Sequence, residues 1–315
     1  MRALVVGAAG FVGSHLVSHL LERGDEVMVT TRSGACAGFA GRSFALDIRD
    51  SDQCHDVLHT AQADVIYHLA GVSFAPQAEA NFEEALLANV AGTSNLVKQC
   101  KRLDKRVGIV IASSADVYGR VLPEELPVTE ETPTRPMNNY SLSKRMAELV
   151  VERYRRAHPN LRCVIARPFN HIGPGQNSRF VVSNFALQLA RISRGEAPPV
   201  MKVGNLTAKR DFSDVRDIVR AYALLGEKGE GMYTLGSGTS YSIQFILDQL
   251  IEIAGLKVEV QRDPARMRGP EVEDLYCDFS KATREVDWSP SIAFRTSLEE
   301  VYAYWCQQSD LPLVA

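Results

Sequence analysis

The chain has 315 residues, 45% of them hydrophobic, enough to bury a large core in one big domain or two intimately joined ones. Its net charge of -3 and pI near 6.2 argue against nucleic acid or an anionic membrane surface as the main partner. No apolar run is long enough to span a bilayer, the N-terminus does not read as a secretory signal, and six cysteines lie scattered without metal or redox spacing. A cytoplasmic protein with reduced packing cysteines and no metal is expected, with Cys54, His55 and His59 forming ordinary helix surface.

Ala3 to Val6 form a short apolar strand that runs into Gly7-Ala8-Ala9-Gly10-Phe11-Val12-Gly13, after which Phe11, Val12, Leu16, Val17, Leu20 and Leu21 recur at helical spacing. Gly7, Gly10 and Gly13 permit a tight turn and close backbone approach to a pyrophosphate, which then sits at the positive helix end beside Phe11 and Val12. A tight turn with no ligand is the plainer reading, but a position directly after a strand at the start of the chain favours a dinucleotide loop. Gly24 ends the helix, and Glu26 to Thr30 reads as the second strand. Binding of NAD calls for an acidic residue at the end of that strand, whereas the chain reads Val29-Thr30-Thr31-Arg32-Ser33. Arg32 is placed to meet a 2′-phosphate, or is a solvated loop cation; NADP(H) is therefore expected ahead of NAD(H). Asp47, followed by Ile48 in ALDIRD, is either an acceptor for the adenine amino group or a surface turn.

A fourth strand, Val65 to Leu69, ends in His68-Leu69-Ala70-Gly71, and the backbone of Leu69 and Ala70 is expected to line the cofactor cleft. A helix near Phe82 to Cys100, a strand over Val107 to Ser113, a helix from about Tyr140 and a strand over Cys163 to Arg167 follow. This alternation predicts an α/β fold, a Rossmann-type doubly wound parallel sheet. The dinucleotide-binding domain is expected over residues 1–168 with returning segments near 210–240, and residues 169–315, with HIGPGQ and GEAPP, mainly form a smaller substrate lobe.

Tyr140 and Lys144 are spaced to lie on one helix face, with Ser114 upstream in IASSADVYG. A fixed cation beside a phenol favours the phenolate, so the pair reads as a proton carrier for a hydride transfer.

GAAGFVG, HLAG, ANVAGT, SSADVYG, YSLSK and RPFNHIGPG, in this order, resemble the extended short-chain dehydrogenase/reductases that modify nucleotide sugars. The likeness covers essentially the entire chain, and GNLTAKRDFSDVRD, DPARMR and EVEDLYCDFSKATREVDWSP look most like the GDP-mannose branch, its 4,6-dehydratases and GDP-4-keto-6-deoxy-mannose reductases. The resemblance implies a nucleotide-diphosphate sugar as substrate, GDP-linked by preference, with Asn170, Arg210 and Arg268 on its diphosphate and Arg179 and Asn205 in substrate-lobe loops. For Arg210 the competing role is a salt bridge with Asp211 or Asp214.

It further implies that Tyr140 carries the proton, Lys144 lowers the phenol's pKa and binds the nicotinamide ribose, and Ser114, four residues before Tyr118 and not its neighbour Ser113, bonds the reacting oxygen. Related dehydratases carry a glutamate where this chain has Asp116, or an acid where it has Ala115, so C5 proton abstraction looks poorly equipped. The expected activity is reduction of GDP-4-dehydro-6-deoxy-D-mannose to GDP-rhamnose or GDP-6-deoxy-talose, with a dehydratase, a 4-epimerase or a non-catalytic NADP sensor as rivals. A homodimer through the helices near Phe82 to Cys100 and Tyr140 to Tyr154 is implied by the same likeness.

Overall fold

The computed structural model describes residues 1–103, 105–158, 161–266 and 272–308. In chain order its first part contains β1 (Arg2–Val6), α1 (Phe11–Glu22), β2 (Glu26–Thr31), β3 (Arg42–Ala45), α2 (Ser51–Ala61), β4 (Val65–His68), α3 (Ala75–Ala80), α4 (Phe82–Ala85), α5 (Gly92–Cys100), β5 (Gly108–Ala112), α6 (Asn139–Ala157) and β6 (Arg162–Pro168). It continues with β7 (Asn170–Ile172), α7 (Val181–Ser193), β8 (Val200–Val203), β9 (Lys209–Asp214), α8 (Val215–Lys228), β10 (Gly231–Leu235), β11 (Ser240–Ser242), α9 (Ile243–Ala254), β12 (Glu259–Arg262), α10 (Ser280–Val286) and α11 (Phe294–Gln307).

The main sheet runs β3-β2-β1-β4-β5-β6-β10, and every neighbouring pair is parallel. Parallel strands are joined by crossovers that lay helices on the sheet, so both faces are covered and the strands read as unbroken apolar runs. β1 shows the consequence: Ala3 and Val5 enter a core with Leu16, Leu20 and Tyr222, while Leu4 and Val6 enter a second core with Leu58, Leu96 and Val151. The doubly wound sheet expected from the alternation of strands and helices is thus present. β10 and α8 return to it from the later half of the chain.

The later segment is more regular than its Gly and Pro clusters suggest. α7, α9 and α11 surround a third core with Phe212 and Met201, alongside a three-stranded sheet β11-β9-β7 and a two-stranded pair β12-β8. The expected single helix near Phe82 to Cys100 is divided into α4, a π-helical stretch Leu86–Ala91, and α5. The extra residue of a π turn is commonly kept for function. Here the turn contains Asn89, which clamps the chain after β4: its Oδ1 accepts from Val72 N–H (2.9 Å), and its Nδ2 donates to Val72 O (3.1 Å) and Ser143 Oγ (2.9 Å). Among the described residues no helix is long and apolar enough to cross a membrane.

The C-terminal tail is pinned to α8 by Trp288, which is fully buried, donates from Nε1 to Asp217 O (2.8 Å) and meets Phe279 edge-on. The Asp217 carboxylate receives Ser291 N–H and Ile292 N–H, each at 2.9 Å. Trp288→Ala removes a large side chain from this junction and is expected to cost about 3–5 kcal/mol, lowering Tm in calorimetry by roughly 5–10 °C.

Candidate active site

The strand order reverses between β1 and β4, so the loops leaving their carboxyl ends diverge and open a crevice. Gly7 has φ +95°, and a Cβ there would lie 2.8 Å from Ala70 N and 2.9 Å from its Cα, so only glycine lets these two loops touch. A Cβ on Gly13 would lie 2.4 Å from Gly7 O. Exposed Gly10 caps α1 without any side-chain hydrogen bond, which leaves the first N–H groups of the helix, at Phe11 and Val12, for an anion. This glycine cradle under a bare helix start fits the diphosphate of a dinucleotide. Leu69 and Ala70 lie half-buried beneath it, Leu69 N–H bonding to Val6 O.

Arg32 and Ser33 are exposed at the end of β2. The Asp47 carboxylate is gripped by Arg49 Nε (2.9 and 3.0 Å), which holds it below the usual carboxylate range. Ile48 is buried with its side chain against Gly92, so what it can offer a ligand is main chain.

Across the crevice, β5 delivers two serines whose hydroxyls go opposite ways. Ser113 Oγ donates inward to Glu148 Oε1 (2.6 Å), within a buried cluster where Arg167 meets the same carboxylate and lies over the Tyr118 ring. Ser114 Oγ accepts Asp116 N–H (3.1 Å) and shares a hydrogen bond with Tyr140. Tyr140 stands in the first turn of α6, whose start is fixed by the Asn138 cap accepting Ser141 N–H (2.8 Å). One turn on, Lys144 Nζ donates to Ala112 O (2.9 Å) at the end of β5. Tyr140, Ser114 and Lys144 therefore converge.

Their electrostatics differ from the expected phenolate. Burial, then the negative charge of Asp116, push the Tyr140 hydroxyl up, opposed by its bond with Ser114. Burial also brings Lys144 down to about 8, with Glu148 acting the other way. The ammonium is turned to the Ala112 carbonyl, and loss of water shifts each group toward its neutral form. His68 is buried and held neutral, its pKa lowered to about 3 by burial and by Lys144. The Thr93 hydroxyl donates to Asn89 O (2.6 Å), so the 2.9 Å contact with His68 is donated by Nε2–H, which assigns the tautomer.

Of the residues expected to meet a sugar nucleotide, Asn170 is exposed on β7 and pairs in register with Phe212 of β9, which places Arg210 diagonally across the same ladder. Arg210 Nη1 donates to Lys209 O and Val272 O, both at 2.7 Å. Asp211, proposed as its partner, is taken by Ser237 and Gly238, and Asp214 by Arg216. Arg179 lies over Phe74 (4.6 Å) and Phe180 (5.5 Å), with its Nε buried and unpartnered. Asn205 Oδ1 accepts Thr207 N–H (3.0 Å) and so builds its own turn. Arg268 lies outside the described residues. The segment that begins with β7 rests on α1, since His171 stacks on Phe11 (6.1 Å, 6°) and His15 Nε2 meets Pro174 O (2.9 Å).

Among the described residues no group of three His, Cys, Asp or Glu could hold a metal ion, and burial pushes the Cys54 thiol up to about 12, leaving it inert. Sequence reasoning missed Asn89, His68, Glu148 and Arg167. ANVAGT and HLAG contain the first two as motif letters, but no spacing rule assigns their partners.

The family model described as GDP-mannose 4,6 dehydratase matches residues 4–301. The GDP-6-deoxy-D-mannose reductase of Pseudomonas aeruginosa is 33% identical over 313 residues, covering 96% of this chain and 97% of that one. The structure of RMD from Pseudomonas aeruginosa complexed with NADPH superposes with a TM-score of 0.86 at 31% identity, over 97% of this chain and 99% of that one. The Thermus thermophilus UDP-glucose 4-epimerase in complex with NAD matches with a TM-score of 0.86 at 28% identity, over 98% and 100%. Gly13→Ala drives a methyl against the Gly7 carbonyl, and calorimetric titration is expected to show dinucleotide affinity reduced by about tenfold or more.

Proposed function

The chain belongs to the GDP-mannose 4,6-dehydratase family of extended short-chain dehydrogenase/reductases, and from that premise we propose that it reduces the 4-keto group of GDP-4-dehydro-6-deoxy-D-mannose with NADPH. The observation that carries this reading is the hydrogen bond between Tyr140 and Ser114, with the short Asp116 as the acid that acts on the phenol. A reductase needs a proton donor and a polarising hydroxyl. A dehydratase needs in addition a base at C5, and with Asp116 in place of the longer glutamate and Ala115 in place of the other acid, that step is poorly equipped.

Bound in its reduced form, the nicotinamide would supply hydride to C4 of the sugar. Tyr140 gives its phenolic proton to the C4 oxygen as charge develops there, and Ser114 donates a hydrogen bond to the same oxygen. Lys144, held by Ala112, keeps positive charge one turn behind the phenol. Gly7, Gly10 and Gly13 with the α1 N–H groups hold the dinucleotide's diphosphate, Leu69 and Ala70 floor the cleft, and Asp47 and Ile48 border the adenine. Arg32 in place of an acidic residue supports NADP(H) over NAD(H) through the 2′-phosphate. The sugar nucleotide's diphosphate goes to Asn170 and Arg210, with Arg179 and Asn205 at its borders. The face that receives hydride sets the product, GDP-rhamnose or GDP-6-deoxy-talose.

We propose also that the protein is a homodimer. α6 leaves Leu142, Met146 and Leu149 exposed at i, i+4 and i+7, with Leu87 of the adjoining π stretch. Such a stripe is costly in water and suits pairing with its copy.

Two measurements follow from these readings. With GDP-4-dehydro-6-deoxy-mannose, one NADPH is expected to be oxidised per sugar, and Tyr140→Phe to lose about 10²–10⁴ in kcat; keto-sugar formed from GDP-mannose without added cofactor would make the protein a dehydratase instead. Light scattering should give twice the 34.7 kDa chain mass, and Leu149→Glu should bring it to that of the single chain; a wild-type monomer sinks the dimer.

A further inference from the structure

We propose that Glu148 is a positioning residue for the reaction, fixing through Ser113 the turn that presents Ser114 and keeping the Lys144 ammonium charged from the next turn of α6. The proposal rests on the reductase reading above.

Glu148 is only 1% exposed, and a carboxylate so placed is tolerated only when its lone pairs are filled. Arg167 Nε reaches Oε1 at 2.9 Å and its Nη2 reaches Oε2 at 2.8 Å, while Arg145 Nη1 reaches Oε2 at 3.0 Å. Those three bonds would suffice for a structural tie between α6 and β6. The fourth bond is different in kind: Ser113 Oγ donates to Oε1 at 2.6 Å, and Ser113 is flanked by two residues of the site. Before it, the Ala112 carbonyl holds Lys144 Nζ. After it, Ser114 meets Tyr140. Ser113 N–H is itself fixed to Ala166 O (2.8 Å), so backbone and side chain of this one residue set where both neighbours point.

The second feature is periodicity. Tyr140, Lys144 and Glu148 follow at steps of four on one helix, so the carboxylate stands one turn beyond the ammonium on the same face. Among the described residues, the other titratable groups near Lys144 are Tyr140 one turn back on its own helix and the neutral His68 from β4; Ala112 of β5 contributes its carbonyl, Asp116 acts on Tyr140, and Arg145 and Arg167 are already bonded to Glu148. Glu148 is thus the carboxylate that acts on Lys144, against a burial that lowers it to about 8. An ammonium whose folded pKa is near 8 is charged below that pH and loses its charge above it, so activity that needs the charge falls on the alkaline side. Removing the carboxylate lowers that pKa and draws the fall to lower pH.

The test compares wild type, Glu148→Gln, Glu148→Asp and Ser113→Ala, each checked by thermal melting. The pH profile of kcat/KM is measured with keto-sugar and NADPH, and the pH dependence of Lys144 reductive methylation, read by peptide mass spectrometry, without substrate. In Glu148→Gln the alkaline limb and the methylation midpoint should both move down by about one pH unit. Glu148→Asp keeps the charge and should restore both while losing about fivefold in kcat, because it cannot span to Ser113. Ser113→Ala should lose about fivefold in kcat with an unchanged KM for NADPH. An unmoved limb and midpoint in folded Glu148→Gln, or wild-type kcat in Ser113→Ala, overturns the proposal; if Glu148→Gln does not fold, wild-type kcat in the other two variants does so. A wild-type enzyme inert toward the keto-sugar counts against the reductase reading alone, since the methylation arm still decides on Glu148.

Discussion

Seven strands that all point the same way bring all their carboxyl ends to one edge, and the site is built on that edge. Both faces of the sheet are committed to core, so the edge is where loops can diverge and admit a ligand. Gly7 follows β1, Leu69 and Ala70 follow β4, Ser113 and Ser114 follow β5, and Asn170 follows β6. Contact of the first two loops requires a glycine at position 7, because any Cβ would strike the Ala70 backbone.

Water exclusion then sets the chemistry. Tyr140, Lys144 and His68 all shift toward their neutral forms for the same reason: burial removes the hydration that a charge would need. Low dielectric makes the few remaining charges count for more, which is why Asp116 acts on the phenol and Glu148 on the ammonium. A phenol that stays protonated suits delivery of a proton to a carbonyl oxygen, whereas a pre-formed phenolate would suit the reverse reaction.

The smaller elements of the later segment are held against this edge. The β7–β9 ladder sets Asn170 near Arg210, and the stack of His171 on Phe11 ties that ladder to the first turn of the helix beneath the dinucleotide loop. Both halves of the cleft therefore share one aromatic contact, which neither half could be seen to need when read alone.

Local signals carried much of this. The glycine turn after an apolar strand, the alternation of strands and helices, and the spacing of Tyr140 and Lys144 were legible because strand, turn and helix each impose a short-range period on the sequence. The extent of the later helices and the π turn at Asn89 were not, since Gly and Pro clusters mask the former and an added residue disguises the latter. The direction of the Tyr140 shift also escaped, because spacing along a helix tells which side chains are neighbours but not how dry their surroundings are. Sequence by itself determined the fold class, the glycine turn between the first strand and helix, and the helix-borne pair of Tyr140 and Lys144. Only the tertiary structure decided where the Ser113 hydroxyl turns, how burial shifts Tyr140 and Lys144, and that Glu148 and Arg167 stand behind them, because burial and long-range pairing belong to the packed chain and to no local stretch of it.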